Sequence, residues 1–289
     1  MKFLPDQTNL EYLRREAQKL KTQHRARDES IVPIIGHFDT SMHGLSAEAV
    51  FTKRFSILDA QRVTARLYCF SSWARLKAFV QKSTDKQECF NAELCDTILR
   101  RKMEYDARLR RYKKKKWNNG AVEKWDRFSE ESAVLFKDIY RQYGWPGPNI
   151  IGRKAVEASF YLTGGVTYDS KFQQLTIKMM KNALPKGDCF GSFYASLLDR
   201  YLSLTYQPTM FGIMCDYNMK TGRVEPTQDI ADIENVNIRR AEVGLPDLAA
   251  SNKELIEYLT KRGLHQRDQD DWENYKRKEA LKGGYIQHA

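Results

Sequence analysis

Residues 91–117, NAELCDTILRRKMEYDARLRRYKKKKW, decide the fold. Their apolar side chains, Cys95, Ile98, Leu99, Met103, Leu109 and Tyr112, recur at helical spacings, which predicts one long amphipathic helix. Asn118-Asn119-Gly120 stops the pattern. The same stretch holds the charge of the chain. From Arg100 to Lys116, ten Lys/Arg stand against Glu104 and Asp106, so this segment carries +8 of the +11 that belongs to all 289 residues. Outside it the chain is nearly balanced.

Helical patterns extend on both sides. Upstream, residues 8–30 read as a helix with Leu10, Leu13, Ala17 and Leu20 on one face and Thr8 or Asn9 as its N-cap. A Gly/Pro/His-containing loop is expected at about 33–46. Residues 56–80 (SILDAQRVTARLYCFSSWARLKAFV) read as two short helices joined at Cys69 to Ser72. Downstream, helices are expected at about 121–143, 152–163, 169–183, 190–206, 229–242 and 251–262, with a last one at 268–281. Gly144-Trp145-Pro146-Gly147-Pro148 reads as a loop. Met219-Lys220-Thr221-Gly222 looks like the turn of a short hairpin. The expected fold is therefore mostly α, with a small N-terminal helical module (1–82), a larger helical domain (91–262), a polar tail (263–289) and room for a short β-hairpin near 209–226.

Composition removes several classes of function. Mean hydropathy is −0.64 and no apolar run is long enough to span a membrane. The N-terminal residues have no apolar core of the kind a secretory signal needs. The five cysteines, Cys69, Cys89, Cys95, Cys189 and Cys215, are odd in number and form no CxxC pair, so reduced thiols in a cytoplasmic setting are the simpler expectation. The histidines are His24, His37, His43, His265 and His288, which leaves residues 44–264 without one. A histidine-based triad or metal site thus lacks its base or ligand over most of the chain, and no metal or cofactor is expected.

Two segments resemble bacterial families. Residues 9–80 are similar to a helical module found ahead of bacterial ankyrin-repeat domains. The similarity rests on Asn9-Leu10-Glu11, Leu13, Asp59-Ala60-Gln61, Val63, Ala65-Arg66, Tyr68, Phe70, Ser72-Trp73 and Leu76-Lys77-Ala78. That module usually has Gly where this chain has Cys69, at a position suited to left-handed backbone. Residues 93–260 resemble the uncharacterised domain family DUF6624. The matching residues are Gly144-Trp145-Pro146, Gly152, Ala158, Phe172-Gln173, Asp199-Arg200, Gly212, Arg239-Arg240 and Val243-Gly244-Leu245-Pro246. Members usually carry Gln-His where this chain has Gly164-Gly165, and Tyr-Gly-Thr-Gln preceded by Gln where it has Thr209 and then Phe211-Gly212-Ile213-Met214. The resemblance implies that most of a polar set is replaced by groups that transfer no protons.

Several residues are candidates for contact. Arg108, Arg110, Arg111, Lys113, Lys114, Lys115 and Lys116 form a basic surface. They read either as a solvated helix end favoured by the negative C-terminal dipole or as a cationic face for an acidic protein or for phosphates, with Tyr105, Tyr112 and Trp117 available for stacking. Asp199 and Arg200 sit next to each other in a helix, so they face different partners, either in a polar ligand site or in structural ion pairs. Glu104 and Asp106 are candidates for the same cluster, and Trp145 for a loop anchor. Three classes follow. The leading one is a cytosolic, non-catalytic binding or regulatory protein that uses the basic helix for protein–protein contact or takes a small polar ligand. The others are an enzyme with a polar pocket around Asp199 and Arg200, and a nucleic-acid binder.

Overall fold

The computed structural model describes residues 4–5, 8–84, 90–114, 119–218, 223–262, 277–278 and 280–285. The described chain is mostly α-helical, and its contacts divide it into two compact units. The first joins Met1–Gln81 to Phe190–Trp272, and the second joins Lys82–Cys189 to Glu273–Ala289. Each unit thus combines segments far apart in sequence. The sequence-based division, by contrast, is into contiguous stretches.

The first unit begins with α1 (Leu10–Arg25), capped by Asn9, whose side chain accepts from the Tyr12 amide. Leu13, Ala17, Leu20 and His24 form its buried face. The helix ends five residues earlier than expected. Arg27 adopts φ +56°, and Asp28 turns instead to capping the next turn through the Ser30 amide. The expected loop at 33–46 also differs, because Val32–Phe38 forms α2 with Pro33 in its first turn, where a missing N–H costs nothing. A short helix, α3 (Ala47–Thr52), leads to α4 (Ile57–Leu67) and α5 (Trp73–Thr84). Ser56 and Asp59 form a reciprocal capping box at the start of α4. Ile31, Ile35, Phe38, Val50, Ala60 and Val63 meet in one core.

The turn between α4 and α5 takes the left-handed form expected of the usual glycine, although Cys69 stands there at φ +64°. The Phe70 amide returns to Ala65 O at 2.9 Å and the Cys69 amide to Arg66 O at 2.9 Å, closing the helix end. This turn receives the second segment of the unit. Cys69 O accepts from the Gly191 amide at 3.1 Å, at the start of α10 (Gly191–Leu204). Phe70, Phe79, Phe190 and Phe193 pack with neighbouring ring centroids 4.8–5.2 Å apart. Gly244, at φ +72°, lies so close that a Cβ there would stand 2.6 Å from the Cys69 carbonyl carbon. The Gly of Val243-Gly244-Leu245-Pro246 is therefore required both by its backbone angle and by contact with the N-terminal helices.

After α10 an irregular segment leads to an antiparallel pair, β1 (Cys215–Asn218) and β2 (Arg223–Pro226), in which Cys215 faces Pro226 and Asn218 faces Arg223. The expected turn residues, Met219 to Gly222, lie outside the described residues. The short helix α11 (Val236–Glu242) and then α12 (Leu248–Arg262) complete the unit. Most of the expected helix at 268–281 lies outside the described residues.

The second unit contains α6 (Ala92–Lys114), α7 (Asn119–Tyr143), α8 (Pro148–Gly164) and α9 (Ser170–Ala183). The quoted stretch is thus a helix, and α6 packs most extensively on α8. Gly144, at φ +67°, ends α7. Trp145 then turns into the core beside Tyr140, which stacks on Phe172 and donates to Thr176 Oγ1 at 3.2 Å. Part of the expected polar tail is docked. Ser170 N and Oγ reach Gly283 O and Gly284 O at 2.9 Å each, and Ala280 is buried. No helix among the described residues is long and apolar enough to cross a membrane.

Candidate functional site

Asp199 lies on the inner face of α10 and is completely buried. Its carboxylate accepts four contacts from three backbone amides. Oδ1 takes Met210 N at 2.8 Å and Phe211 N at 3.1 Å, and Oδ2 takes Phe211 N at 3.2 Å and Ile213 N at 2.9 Å. Burial pushes this carboxyl up from its ordinary value, and the amides of Ile213, Met210 and Phe211 pull it back. Charge-assisted bonds of this kind bind a loop more firmly than neutral ones.

The carbonyl side of the same loop is held from α11. Arg239 Nε donates to Met210 O at 2.9 Å, and its terminal nitrogens reach Ala231 O, Asp232 O and the Asp232 carboxylate. Arg240 donates through Nε to Pro246 O at 2.7 Å, through Nη1 to Phe211 O and through Nη2 to Ser251 Oγ. Thr209 fixes the start of the loop by pairing its amide with Asp229 O at 2.7 Å. Loop 209–213 is thus gripped on its N–H side by an acid and on its C=O side by two arginines.

The held loop forms one wall of a cleft of about 400 Å³ within the first unit. Gly212, Ile213 and Cys215 line it beside the loop, Arg240, Leu245 and Pro246 line it from α11 and the turn that follows, and α12 supplies further lining residues. The α12 residues include Ser251, Glu254, Leu255 and Tyr258. Most of the lining is apolar, with a few polar groups, the composition of a small-molecule site. Burial draws the Arg240 guanidinium below its ordinary value, against the nearby Cys215, Asp247 and Asp199. The N-terminal helices brace α12 from outside. His43 Nε2 stands 3.2 Å from Asp247 Oδ1, His37 Nδ1 stands 3.7 Å from Glu254 Oε1, and the Asp247 amide donates to His37 O at 3.1 Å.

The remaining sequence candidates are distributed as follows. Arg200 is half-buried on α10. Glu104, Asp106 and Trp145 belong to the second unit, Asp199 and Arg200 to the first. Glu104 is exposed. Asp106 pairs with Lys102 at 2.7 Å, and Lys102 also lies over the Tyr161 ring at 4.6 Å. Trp145 is a core residue whose Nε1 finds no acceptor among the described residues. Arg101 donates to Ser132 Oγ and Phe128 O at 2.7 Å each, and both Arg101 and Arg108 lie over the Phe128 ring. Arg110 and Arg111 are exposed. The side chains of Lys113 and Lys114, and the whole of Lys115 and Lys116, lie outside the described residues. Gly165, one of the two replaced positions, sits where a Cβ would approach Tyr105 Cε2 to 3.1 Å.

Sequence reasoning did not select Arg240 or the α12 residues. The signal for Arg240 was present in the Arg239-Arg240 pair just before Val243-Gly244-Leu245-Pro246. The α12 residues carry no signal beyond ordinary helix polarity.

The profile of a family of unknown function, DUF6624, matches residues 99–261, more than half of the chain and part of each compact unit. Asp199, Gly212, Arg240, Leu245 and Pro246 all fall inside the match. No curated protein and no solved structure matches the chain.

Proposed function

This chain belongs to the DUF6624 family, and from that premise we propose that it is a cytosolic, non-catalytic binding protein that holds a small ligand in the cleft of its first unit. One observation carries the reading. Asp199, the most conspicuous candidate acid, directs its carboxylate to backbone amides of the loop. A group so engaged shapes a wall and transfers no proton to a ligand. The apolar lining and the volume of the cleft suit a small organic molecule. The four described cysteines, Cys69, Cys95, Cys189 and Cys215, are thiols and form no disulfide with one another, in keeping with a reducing compartment. The N-terminal helices, read as the module that precedes bacterial ankyrin-repeat domains, act here as a brace for α12.

The test uses the full chain and a panel of small organic acids, bases and neutral compounds. Binding is followed by amide NMR shifts and product formation by mass spectrometry. Shifts at Ile213, Leu245 and Ser251 without any change in the compounds are expected. Conversion of a compound that disappears in Glu254→Gln would overturn the non-catalytic reading. A second reading, contact with an acidic partner along α6, is favoured by the exposure of Arg110 and Arg111.

A further inference from the structure

Arg240 is only 2% exposed, yet no carboxylate lies within ion-pair distance of it among the described residues. Its three protein contacts use one N–H each, from Nε, Nη1 and Nη2. A guanidinium has five N–H groups, so one on each terminal nitrogen is left without an acceptor. Buried charges are ordinarily paired, and an unpaired one is costly to keep. The nearest acids are engaged elsewhere. Asp199 serves the loop amides, and Asp247 accepts from the Ala249 amide at 2.8 Å and faces His43. The open space beside the cation is the cleft that Arg240 helps to line.

We propose that the cleft binds a small monocarboxylate, with its carboxylate paired to the two remaining N–H groups of Arg240 and its apolar body against Ile213, Leu245, Leu255 and Tyr258. The inference rests on the binding reading above and names the ligand class. Charge selects a monoanion. Among the described residues Arg240 is the only cationic side chain in the lining, and Glu254 lines the same cleft. A phosphate dianion would therefore bring excess negative charge. Two N–H groups from separate terminal nitrogens match a carboxylate's two oxygens, the fork geometry that distinguishes arginine from lysine. The apolar remainder of the wall disfavours a second charge on the ligand.

The experiment compares matched pairs on the full chain: phenylacetate with phenylacetamide, isovalerate with isovaleramide, and inorganic phosphate alone. Amide NMR shifts report the site and calorimetry the affinity. The carboxylates are expected to shift Ile213, Leu245 and Ser251, with the matched amides weaker by about tenfold or more and phosphate inactive. Arg240→Lys is expected to abolish the preference. Because Arg240 also holds two carbonyls, Leu255→Glu is the second variant. It adds a resident carboxylate to the wall without touching those bonds, and is expected to abolish carboxylate binding. Amides binding as well as carboxylates, phosphate binding better, or carboxylate binding that survives Leu255→Glu would each overturn the anion subsite and leave the binding reading standing. Shifts from none of the compounds would overturn both.

Discussion

The loop clamp of the first unit and the basic helix of the second use charge in opposite ways. The clamp has three principal charges, Asp199, Arg239 and Arg240, directed mainly at backbone groups. On α6 many cations share one helix, and several of them rest on side chains and ring faces, as Arg101 and Arg108 do on Phe128 and Lys102 on Tyr161. Backbone-directed charge fixes the path of a loop, whereas ring- and side-chain-directed charge joins helices already formed. Abundance of charge is thus a poor guide to where charge matters, and substitutions in the two regions should differ in cost.

Asp199→Asn has the largest. The amide presents donors to a nest of backbone donors, leaving buried N–H groups unsatisfied. A loss of about 3 kcal/mol is expected in urea denaturation, together with loss of ligand binding. A loss below about 1 kcal/mol would mean that the loop keeps its path without the carboxylate, and the contrast with α6 would collapse. Arg101→Met comes next. It keeps the apolar stem but removes the bonds to Ser132 and Phe128 O and the cation over the ring. About 1–2 kcal/mol is expected, without effect on the cleft. If Arg101→Met costs as much as Asp199→Asn, the two regions are not different in kind.

The legibility of the sequence follows the same line. Periodic apolar spacing located α4, α5 and α6, because helices bury stripes and stripes are written locally. The end of α1 is not legible in this way, since the apolar pattern does not register a single residue, Arg27, turning left-handed. Pro33 falls within the loop expected at 33–46, yet it occupies the first turn of α2. Asp199 stood out as a polar residue, but its partners lie 11–14 residues further on in an aperiodic segment, and they are amides, which every residue but proline has. The role of Arg240 is hidden for the same reason, as two of its acceptors are carbonyls. Cys69 is the instructive exception, a departure from an expected glycine that the structure accommodates at φ +64°. Cys69→Ala keeps the unfavourable angle and loses the buried sulfur, whereas Cys69→Gly loses the sulfur and removes the strain. The glycine variant is expected to be the more stable of the two by about 1 kcal/mol in thermal denaturation.

Histidine sharpens the contrast between the units. The described histidines, His24, His37 and His43, all lie in the first unit. Burial holds His37 below its ordinary value of 6.5, with Glu254 and Asp247 acting against that shift and Lys253 and His43 with it. A folded-state value below the unfolded one means that the unfolded chain takes up the proton first. The contribution of His37 to stability is therefore full above about pH 6.5 and falls as the pH drops through that range. His37→Gln is expected to flatten this acid limb in pH-dependent denaturation. An unchanged limb would show that the burial of His37 does not govern the acid side of the stability profile.

The smallest effect belongs to the most basic-looking part of the chain. Arg110 and Arg111 are exposed on α6. Inverting both to Glu removes no buried bond, so stability is expected to change by less than about 0.5 kcal/mol. The same change alters the local field by four charges, and this separates two functions of the helix. If α6 meets an acidic partner, binding of the full chain to polyglutamate at low salt falls in the double variant and weakens steeply as salt is raised. If α6 is only a solvated helix end, the double variant and the parent bind polyglutamate alike. Duplex DNA in place of polyglutamate extends the test, because the salt slope drops by about 0.9 for every phosphate the variant no longer neutralises. A large stability loss in the double variant would place these arginines with Arg101, as charges that hold helices together, and would remove the basis for treating the exposed end of α6 as a contact surface.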